Sequence, residues 1–486
     1  MRPTLALLSP DLIERIDAEA RTVLATLGVR VHNDEVLNLL EDCGGHVDRD
    51  EHQAQMPEEM IDRALSGAPR TVTLYDLEGR NAVELAGGSV HFTPGSSALT
   101  LLDGERDEAR PPDTADYVRY ARLVGRLEHI ATQSTAFIPA DVPEGISDSY
   151  RLYLSLMFCD KPVITGGFGL DSLAVMKDLL LAVRGSESAL KEKPFAVFSC
   201  CALAPLSWSE VTSAHLIQCA RASIPAEIIS MPMAGFTSPV TLVGTLVQHT
   251  AEVLSGVVIS QCASAGAPVL FGGSATIFDV RHATAPMGAV ESAMLSCACN
   301  EIGKHLHLPT QAYIGLTDAK VVDAQAGLEA SMGATMAALS GINSVAGPGM
   351  MDYQNCFSLE KLVLDNEMCG MALRLARGIE PCEDFPSLRR FEELLAEKHL
   401  MISEHTRHHL REEQHLPGPL IERAERSKWE ALGRESLADK ARAEVARLTG
   451  DGAASSLPAD VRKQLVQRME HEAKRCGMDR MPPIET

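Results

Sequence analysis

Short apolar runs alternate with longer amphipathic stretches through the middle of the chain. The runs are SVHFTPG, IATQSTAFIP, KPVITGGFG, KPFAVFSCCAL, AEIISMPMAG, APVLFGGSA, PTQAYIGLT and INSVAGPGM, between residues 89 and 350. Helical patterns follow them near 114–126, 147–159, 170–183, 208–222, 239–263, 288–306, 321–340 and 359–377. Short apolar runs bounded by Gly and Pro are typical of buried parallel strands.

Eight strand–helix units in series predict an α/β protein with a (β/α)8 TIM barrel over residues 89–380, because right-handed crossovers make successive strands parallel. A doubly wound sheet is the alternative, but no G-x-G-x-x-G follows the first strands. Residues 1–88 contain capped helical patterns and are interpreted as an N-terminal helical extension. Residues 381–486 are charged and helical, which indicates a C-terminal extension that packs on the barrel exterior or contacts another molecule.

The net charge and the spacing of the cysteines exclude several classes of function. A net charge of -22 over 486 residues argues against a nucleic-acid or anionic-membrane partner, because both require an excess of Lys and Arg. The 12 cysteines are scattered without metal-binding spacing, which favours a reduced, cytoplasmic protein. The longest apolar pattern, near 239–262, contains Gln248, His249 and Glu252, so no membrane-spanning segment is expected.

Candidate functional residues follow the predicted strands, because the strand-to-helix loops of a barrel converge at one mouth. They are Phe168, Phe236, Phe278, Arg281, Tyr313, Asp318, Lys320, Asp352 and Tyr353. Aromatic residues make up only 4% of the chain, yet they accumulate at these positions beside glycines. Ring faces with nearby carboxylates suit a small organic cation, since the rings attract it and an acid balances its charge.

Structural roles are the alternative for several of these residues. Each aromatic residue could instead pack in the core. Asp318 could cap the helix that is expected to begin near Val321. His405 and His409 are spaced i, i+4 and could share a metal ion, but the sequence offers no third ligand and no H-E-x-x-H motif.

Four blocks together resemble the trimethylamine methyltransferase family. They are GFTSPVTLVGTLVQHTAEVLSGVVISQ (235–261), GLTDAKVVDAQAGLEA (315–330), SLEKLVLDNEMCGMALRLARGIE (358–380) and SEHTRHHLREE (403–413). The resemblance implies a TIM-barrel enzyme that moves a methyl group from a methylated amine to the cobalt of a corrinoid carried by a separate protein. The chain consists of standard residues only, so it resembles the branch without pyrrolysine, which includes enzymes acting on glycine betaine and related quaternary amines.

On this resemblance we expect no tightly bound cofactor, a cognate corrinoid protein as partner and a homo-oligomer. The strand-end positions then suggest roles. Phe168, Phe236, Phe278, Tyr313 and Tyr353 would form a cage for the cation; Asp318 and Asp352 would balance its charge; Lys320 or Arg281 would pair with a substrate carboxylate.

Two other functions stay open from the sequence. A zinc-dependent corrinoid methyltransferase would require Cys200, Cys201, His282 and Cys356 to converge on one metal ion. A quaternary-amine sensor without turnover would keep the binding site and lose methyl transfer.

Overall fold

The computed structural model describes residues 2–382, 384–450 and 455–484. Its central sheet has eight strands, β1 to β8: His91–Thr93, Gln133–Ser134, Val163–Thr165, Ala196–Cys201, Ala226–Ser230, Val269–Gly273, Thr310–Tyr313 and Ser344–Ala346. Consecutive strands pair in parallel from β2 to β8, and β8 pairs in parallel with β1. A parallel bridge between Phe92 and Ile130 joins β1 to the start of the β2 segment and closes the ring. The predicted (β/α)8 barrel is confirmed.

A helix follows each strand and packs on the outside of the barrel. These helices, α1 to α8, are Thr114–Arg126, Glu144–Phe158, Ser172–Arg184, Glu210–Ala222, Leu242–Ala263, Val290–His305, Ala324–Ser340 and Leu359–Arg377. Short elements lie between them: Thr100–Asp103, Glu108–Arg110, Glu187–Glu192, Ser207–Trp208, Met233–Ala234, Thr276–Ile277, Met350–Met351, Asp352–Gln354 and Cys356–Phe357. By length and composition α5 could cross a membrane, but most of it is buried between the barrel strands and the helices of the N-terminal region.

The N-terminal region combines the expected helices with strands that the sequence analysis did not predict. Its helices are Pro10–Thr26, Asp34–Asp42 and Glu58–Gly67. Strands Val29–Val31, His46–Asp48 and Gln53–Gln55 form a four-stranded sheet with Ser207–Trp208. All three helices pack against α5, so this region covers one side of the barrel.

A β-hairpin closes the N-terminal end of the barrel. Its strands are Val72–Tyr75 and Ala82–Leu85, and Val72, Leu74 and Leu85 form one apolar cluster with Ile164, Val197 and Leu270 of the barrel strands. Val197 and Leu270 are each the second residue of their strand, so the hairpin fills the lumen from the end where the strands begin. A ligand therefore has to enter from the opposite end.

The C-terminal region is helical, as expected. Its helices are Leu388–Glu397, Glu404–Glu413, Arg426–Ala431, Leu437–Thr449 and Ala459–Arg475. Leu437–Thr449 packs on α8 and α1, and Ala459–Arg475 packs on α2 and α3. The parts of the two predicted extensions at residues 1, 383, 451–454 and 485–486 lie outside the described residues, and the boundaries at 88/89 and 380/381 stay predictions.

A buried asparagine links the strands at the closed end. Asn343 precedes β8, and its Oδ1 accepts a hydrogen bond from the backbone N–H of Thr310 at 3.0 Å and one from Lys304. Its Nδ2 donates to the carbonyl oxygens of Ala86 at 3.1 Å and Ser89 at 2.9 Å. One side chain thus holds β7, β8 and the segment leading into β1 in register.

We expect Asn343→Ala to lower the free energy of unfolding by about 3 kcal/mol, because it leaves buried N–H and C=O groups without partners. Urea unfolding measures the change. Asn38→Ala is the matched control, since Asn38 is exposed on helix Asp34–Asp42, and it should stay within about 0.5 kcal/mol of wild type. Equal stability of the two variants would contradict this role of Asn343.

Candidate active site

The barrel lumen carries polar side chains from four of its strands, β1, β4, β5 and β7. In the parallel register Ser199 of β4 pairs with Glu227 of β5, and Glu227 pairs with Leu270, so the three side chains share one face of the sheet. Leu270 packs on the hairpin that fills the lumen, so this face is the lumen face. By the same alternation Gln311 and Tyr313 of β7 face the lumen. Thr93 of β1 joins them through its register with Ala346, the β8 partner of Tyr313.

Three of these buried side chains have an atom without a hydrogen-bond partner. The atoms are Thr93 Oγ1, Glu227 Oε2 and Gln311 Nε2, on β1, β5 and β7. Most buried polar atoms in proteins are hydrogen-bonded, so three unpaired atoms on one lumen surface require an explanation. A ligand that supplies the missing partners is the simplest one, and it places the candidate site in the lumen.

Glu227 is the central acidic group of this surface. It is fully buried, and its Oε1 accepts a hydrogen bond of 2.5 Å from Ser199 Oγ. Burial raises the pKa of the Glu227 carboxyl from 4.5 to about 7, and the Ser199 hydrogen bond opposes that rise only in part. Among the described residues no Lys or Arg forms an ion pair with it. Its carboxylate is therefore available to a cation that enters the lumen.

Tyr313 lies beside this carboxyl and is held in place by a neighbouring loop. Its hydroxyl and Ser96 Oγ are 3.1 Å apart, within hydrogen-bonding distance. Burial raises the pKa of the Tyr313 phenol, so it stays protonated and can donate a hydrogen bond. Glycines keep space beside two other lumen side chains: a Cβ on Gly272 would lie 2.9 Å from Gln311 Oε1, and Gly166 is half-buried beside Ser199.

The predicted aromatic residues do not form one cage. Phe236 and Phe278 stack at the rim with ring centroids 4.7 Å apart. Phe168 is 56% exposed, and the Arg151 guanidinium lies 5.2 Å from its ring centroid. Tyr313 lies in the lumen, whereas Tyr353 belongs to a separate rim cluster described next. Within the described residues, Phe236 and Phe278 are the only two of these five rings in contact.

The rim cluster consists of Lys320, Asp352 and Tyr353. Lys320 Nζ lies 2.8 Å from Asp352 Oδ1 and 3.8 Å from the centroid of the Tyr353 ring. Asp352 and Tyr353 adopt left-handed backbone conformations, with φ of 49° and 56°. Lys320 therefore already has a carboxylate and a ring as partners. Its predicted pairing with a substrate carboxylate would have to displace Asp352.

Arg281 is similarly occupied. Its guanidinium lies 2.6 Å from Asp279 Oδ2, and its side chain is 78% exposed at the rim. The predicted roles of Arg281, Lys320 and Asp352 toward a substrate stay predictions, and in the structure each of these charges is balanced by a neighbour.

Asp318 connects two loops of the mouth. Its Oδ1 accepts from the backbone N–H of Met287, and its Oδ2 from that of Gly288, both at 3.0 Å. Burial raises the pKa of the Asp318 carboxyl to about 6. Helix α7 is capped by Asp323, whose Oδ1 accepts from Gln325 N–H at 2.9 Å. The alternative that Asp318 caps this helix is therefore wrong, and Asp318 holds the loop after β6 against the loop after β7.

Sequence reasoning found Tyr313 of the lumen but missed Ser199, Glu227 and Gln311. Candidates were sought only at the strand ends, where Tyr313 lies, whereas Ser199, Glu227 and Gln311 lie within the strands. The signal was present: AEIIS is an apolar strand with one Glu, and such a residue is rarely buried without a purpose. A search for polar residues inside apolar runs would have found it.

Among the described residues, no set of ligands assembles for either of the metal-binding alternatives. Residues 2–382, 384–450 and 455–484 contain no group of three or more His, Cys, Asp or Glu side chains placed to hold a metal ion. Cys200 lies against Cys219, while His282 is 69% exposed beside Asp279. The four residues that the zinc alternative requires therefore do not assemble.

A closed (β/α)8 barrel with a polar lumen under the C-terminal mouth defines a barrel enzyme. The chain belongs to the trimethylamine methyltransferase family: the family model described as "Trimethylamine methyltransferase (MTTB)" matches residues 1–477. This confirms the resemblance seen in the sequence blocks.

Individual relatives agree with this assignment. The trimethylamine methyltransferase MttB of Desulfitobacterium hafniense strain DCB-2 is 28% identical over 98% of this chain and 96% of its own length. The glycine betaine methyltransferase of Desulfitobacterium hafniense strain Y51 is 29% identical over 91% of both. The crystal structure of the Methanosarcina barkeri monomethylamine methyltransferase (MtmB) has the same fold, with a TM-score of 0.53 at 12% identity over 92% of this chain and 89% of that chain.

We expect Glu227→Gln to remove a pH dependence of stability. The folded-state pKa, about 7, lies above the unfolded value near 4.5. The stability linked to this group is fully present below the unfolded pKa and is lost as pH rises through 7. Wild type should lose on the order of 3 kcal/mol from this group over that window, and the variant none.

Urea unfolding of both proteins at intervals from about pH 5 to about pH 8 measures the difference. Glu59→Gln, an exposed carboxyl on helix Glu58–Gly67, is the matched control and should follow the wild-type profile. Parallel profiles for wild type and Glu227→Gln would show that Glu227 titrates normally.

Proposed function

We propose that the protein transfers a methyl group from a quaternary amine, such as a betaine, to the cob(I) centre of a corrinoid carried by a separate protein. The observation that carries this proposal is the unpaired carboxyl of Glu227 in the lumen. A buried carboxylate without a cation is costly, and a permanently charged ammonium group would balance it. The relatives named for trimethylamine and for glycine betaine both act on methylated nitrogen compounds, which agrees with such a ligand.

The chemistry of a quaternary ammonium suits a lumen of this kind. When the C–N bond breaks, its electron pair stays on nitrogen and a neutral tertiary amine leaves, so no acid is needed at the nitrogen. The methyl carbon takes its new bonding pair from cobalt, which is oxidised from Co(I) to Co(III). The positive charge on nitrogen disappears during the transfer, so the attraction to Glu227 is lost and the product amine is released.

The other lumen residues would orient the substrate. Gln311 Nε2 is an unpartnered donor and Tyr313 OH a fixed one, and both can bind the carboxylate of a betaine. Thr93 Oγ1 can donate or accept in the same space. Holding the N–CH3 bond in line with the incoming cobalt and excluding water are the main contributions expected from this chain.

The corrinoid protein would dock at the mouth, because the hairpin Val72–Leu85 fills the other end of the lumen. The rim exposes Phe236 by 64%, Val240 by 75% and Val280 by 79%, and this apolar surface could contact the partner. Cob(I) requires strongly reducing conditions. A cytoplasmic location would supply them and would keep the twelve free cysteines reduced.

The test is spectroscopic. Purified protein is mixed with cob(I)alamin under reducing conditions, glycine betaine, other quaternary amines and trimethylamine are added separately, and methylcobalamin formation is followed. We expect methylation with a quaternary amine. Glu227→Gln should lower kcat/KM by about 100-fold, because a buried charge pair with the substrate is lost. Glu59→Gln should keep wild-type activity.

Two outcomes would overturn the proposal. Amine binding by calorimetry without methyl transfer to free or protein-bound corrinoid would identify a sensor. Unchanged kcat/KM in Glu227→Gln would show that the substrate lies elsewhere.

A further inference from the structure

Seven glycines at or just beyond the carboxyl ends of the barrel strands are required by the fold itself. Gly235, Gly315 and Gly349 have φ between 81° and 89°, a backbone conformation that residues with a side chain rarely adopt. A Cβ on each of the other four would lie 2.8 Å or less from an atom of another residue. These four are Gly167, Gly272, Gly273 and Gly347. Backbone conformation or close packing therefore explains why these positions carry no side chain.

Gly166, directly after β3, is different, because neither its backbone nor its neighbours require glycine. Its φ lies outside the left-handed region. A Cβ on Gly166 would lie 3.4 Å from the carbonyl oxygen of Ser199 and 3.6 Å from its Cβ, which are ordinary van der Waals contacts. Apart from the adjacent residues of the chain, no other described atom lies within 4 Å of that point. The fold would accept a side chain here, so the absence of one has another cause.

The open space beside Gly166 belongs to the lumen. Thr165 pairs with Phe198 in the parallel register, so Gly166 and Ser199 follow side by side. A Cβ on Gly166 would approach the Ser199 Cβ, which shows that both positions face the same side of the sheet. On the next strand Glu227 Oε1 accepts a hydrogen bond of 2.5 Å from Ser199 Oγ. Seen from the Glu227 carboxyl, the space at Gly166 therefore lies just beyond the Ser199 side chain.

The two sides of the lumen around Glu227 differ in what they offer a ligand. On β7, Gln311 Nε2 has no hydrogen-bond partner and Tyr313 OH can donate, so this side suits a polar group such as a carboxylate. At the end of β3, Gly166 offers no polar side-chain atom and leaves room. Neighbouring strands are about 5 Å apart, so an ammonium group balanced by Glu227 can extend a methyl group over Ser199 into that room. The β3 side can therefore accommodate small apolar groups bound to the nitrogen.

We propose that Gly166 is a specificity-determining residue: the space beside it receives the N-methyl groups of a quaternary amine that are not transferred. The inference rests on the proposed function, because it takes Glu227 as the group that balances the ammonium charge. A quaternary nitrogen carries four carbon substituents, whereas a protonated tertiary amine carries a hydrogen in place of one. Only the quaternary ion needs the extra room, so Gly166 favours a fully substituted ammonium as the substrate class.

Calorimetric titration of the full chain with tetramethylammonium and with trimethylammonium tests this role. Both ions carry one positive charge near neutral pH, and they differ by one methyl group. Gly166→Ala adds a methyl group to the wall of the space, so it should weaken tetramethylammonium binding at least about 10-fold. It should weaken trimethylammonium binding less than about threefold, because that ion can turn its N–H toward the added methyl group. A general loss of stability would instead weaken the binding of both ions equally.

Gly169→Ala is the matched control on the same loop. Gly169 is exposed, and a Cβ on it would meet no described atom within 4 Å, so this variant should bind both ions as the wild type does. Gly166→Val fills more of the same space and should weaken tetramethylammonium binding more strongly than Gly166→Ala. Circular dichroism of each variant confirms that the barrel is folded.

Two outcomes would overturn the inference. Equal losses for the two ions in Gly166→Ala, or no loss for either, would overturn it and leave the proposed function in place, since the wild type would still bind a quaternary ion. A wild-type protein that binds neither ion would overturn the proposed function together with the inference.

Discussion

Closure of the eight-stranded barrel is the constraint on which the rest of the structure depends. Once β1 meets the β2 segment through the Phe92–Ile130 bridge, alternate side chains of each strand point into one narrow lumen. One end of that lumen is filled by the apolar hairpin. The remaining space is lined by Ser199, Glu227, Gln311 and Tyr313, so the ring itself creates a polar chamber with one entrance.

Glu227 has fewer hydrogen-bond and ion-pair partners than two other buried acidic residues of the chain, Glu252 and Asp365. Glu252 accepts hydrogen bonds from Leu206 N–H at 2.8 Å, from Gln248 at 2.9 Å and from Ser230. Asp365 is paired with Lys361 and accepts from Gly349 N–H at 2.7 Å. Glu227 has a single partner, Ser199. The fold satisfies Glu252 and Asp365 and leaves Glu227 incomplete, as expected of a group that binds a ligand.

The sequence predicted the barrel because long helices and apolar runs repeat with a clear period, and every predicted strand and helix of the barrel is present. The three-residue strands Val29–Val31 and Gln53–Gln55 escaped because they are too short to show alternation. The rim residues were found from their position after strands, but their mutual contacts were not, since these depend on loop conformations such as the left-handed turn at Asp352 and Tyr353. Glu227 and Gln311 were missed because they lie within strands, whereas candidates were sought only where the strands end.

The distribution of charge at the mouth favours a cationic ligand. At the rim Lys320 is neutralised by Asp352 and Arg281 by Asp279, so these pairs add little net field. Glu227 below them has no such partner among the described residues, and burial keeps its field unscreened. A permanently cationic group gains more from this arrangement than a neutral amine, because it keeps its charge at every pH at which Glu227 is ionised. As the pH rises through the pKa of Glu227, near 7, the attraction grows while a quaternary nitrogen keeps its charge.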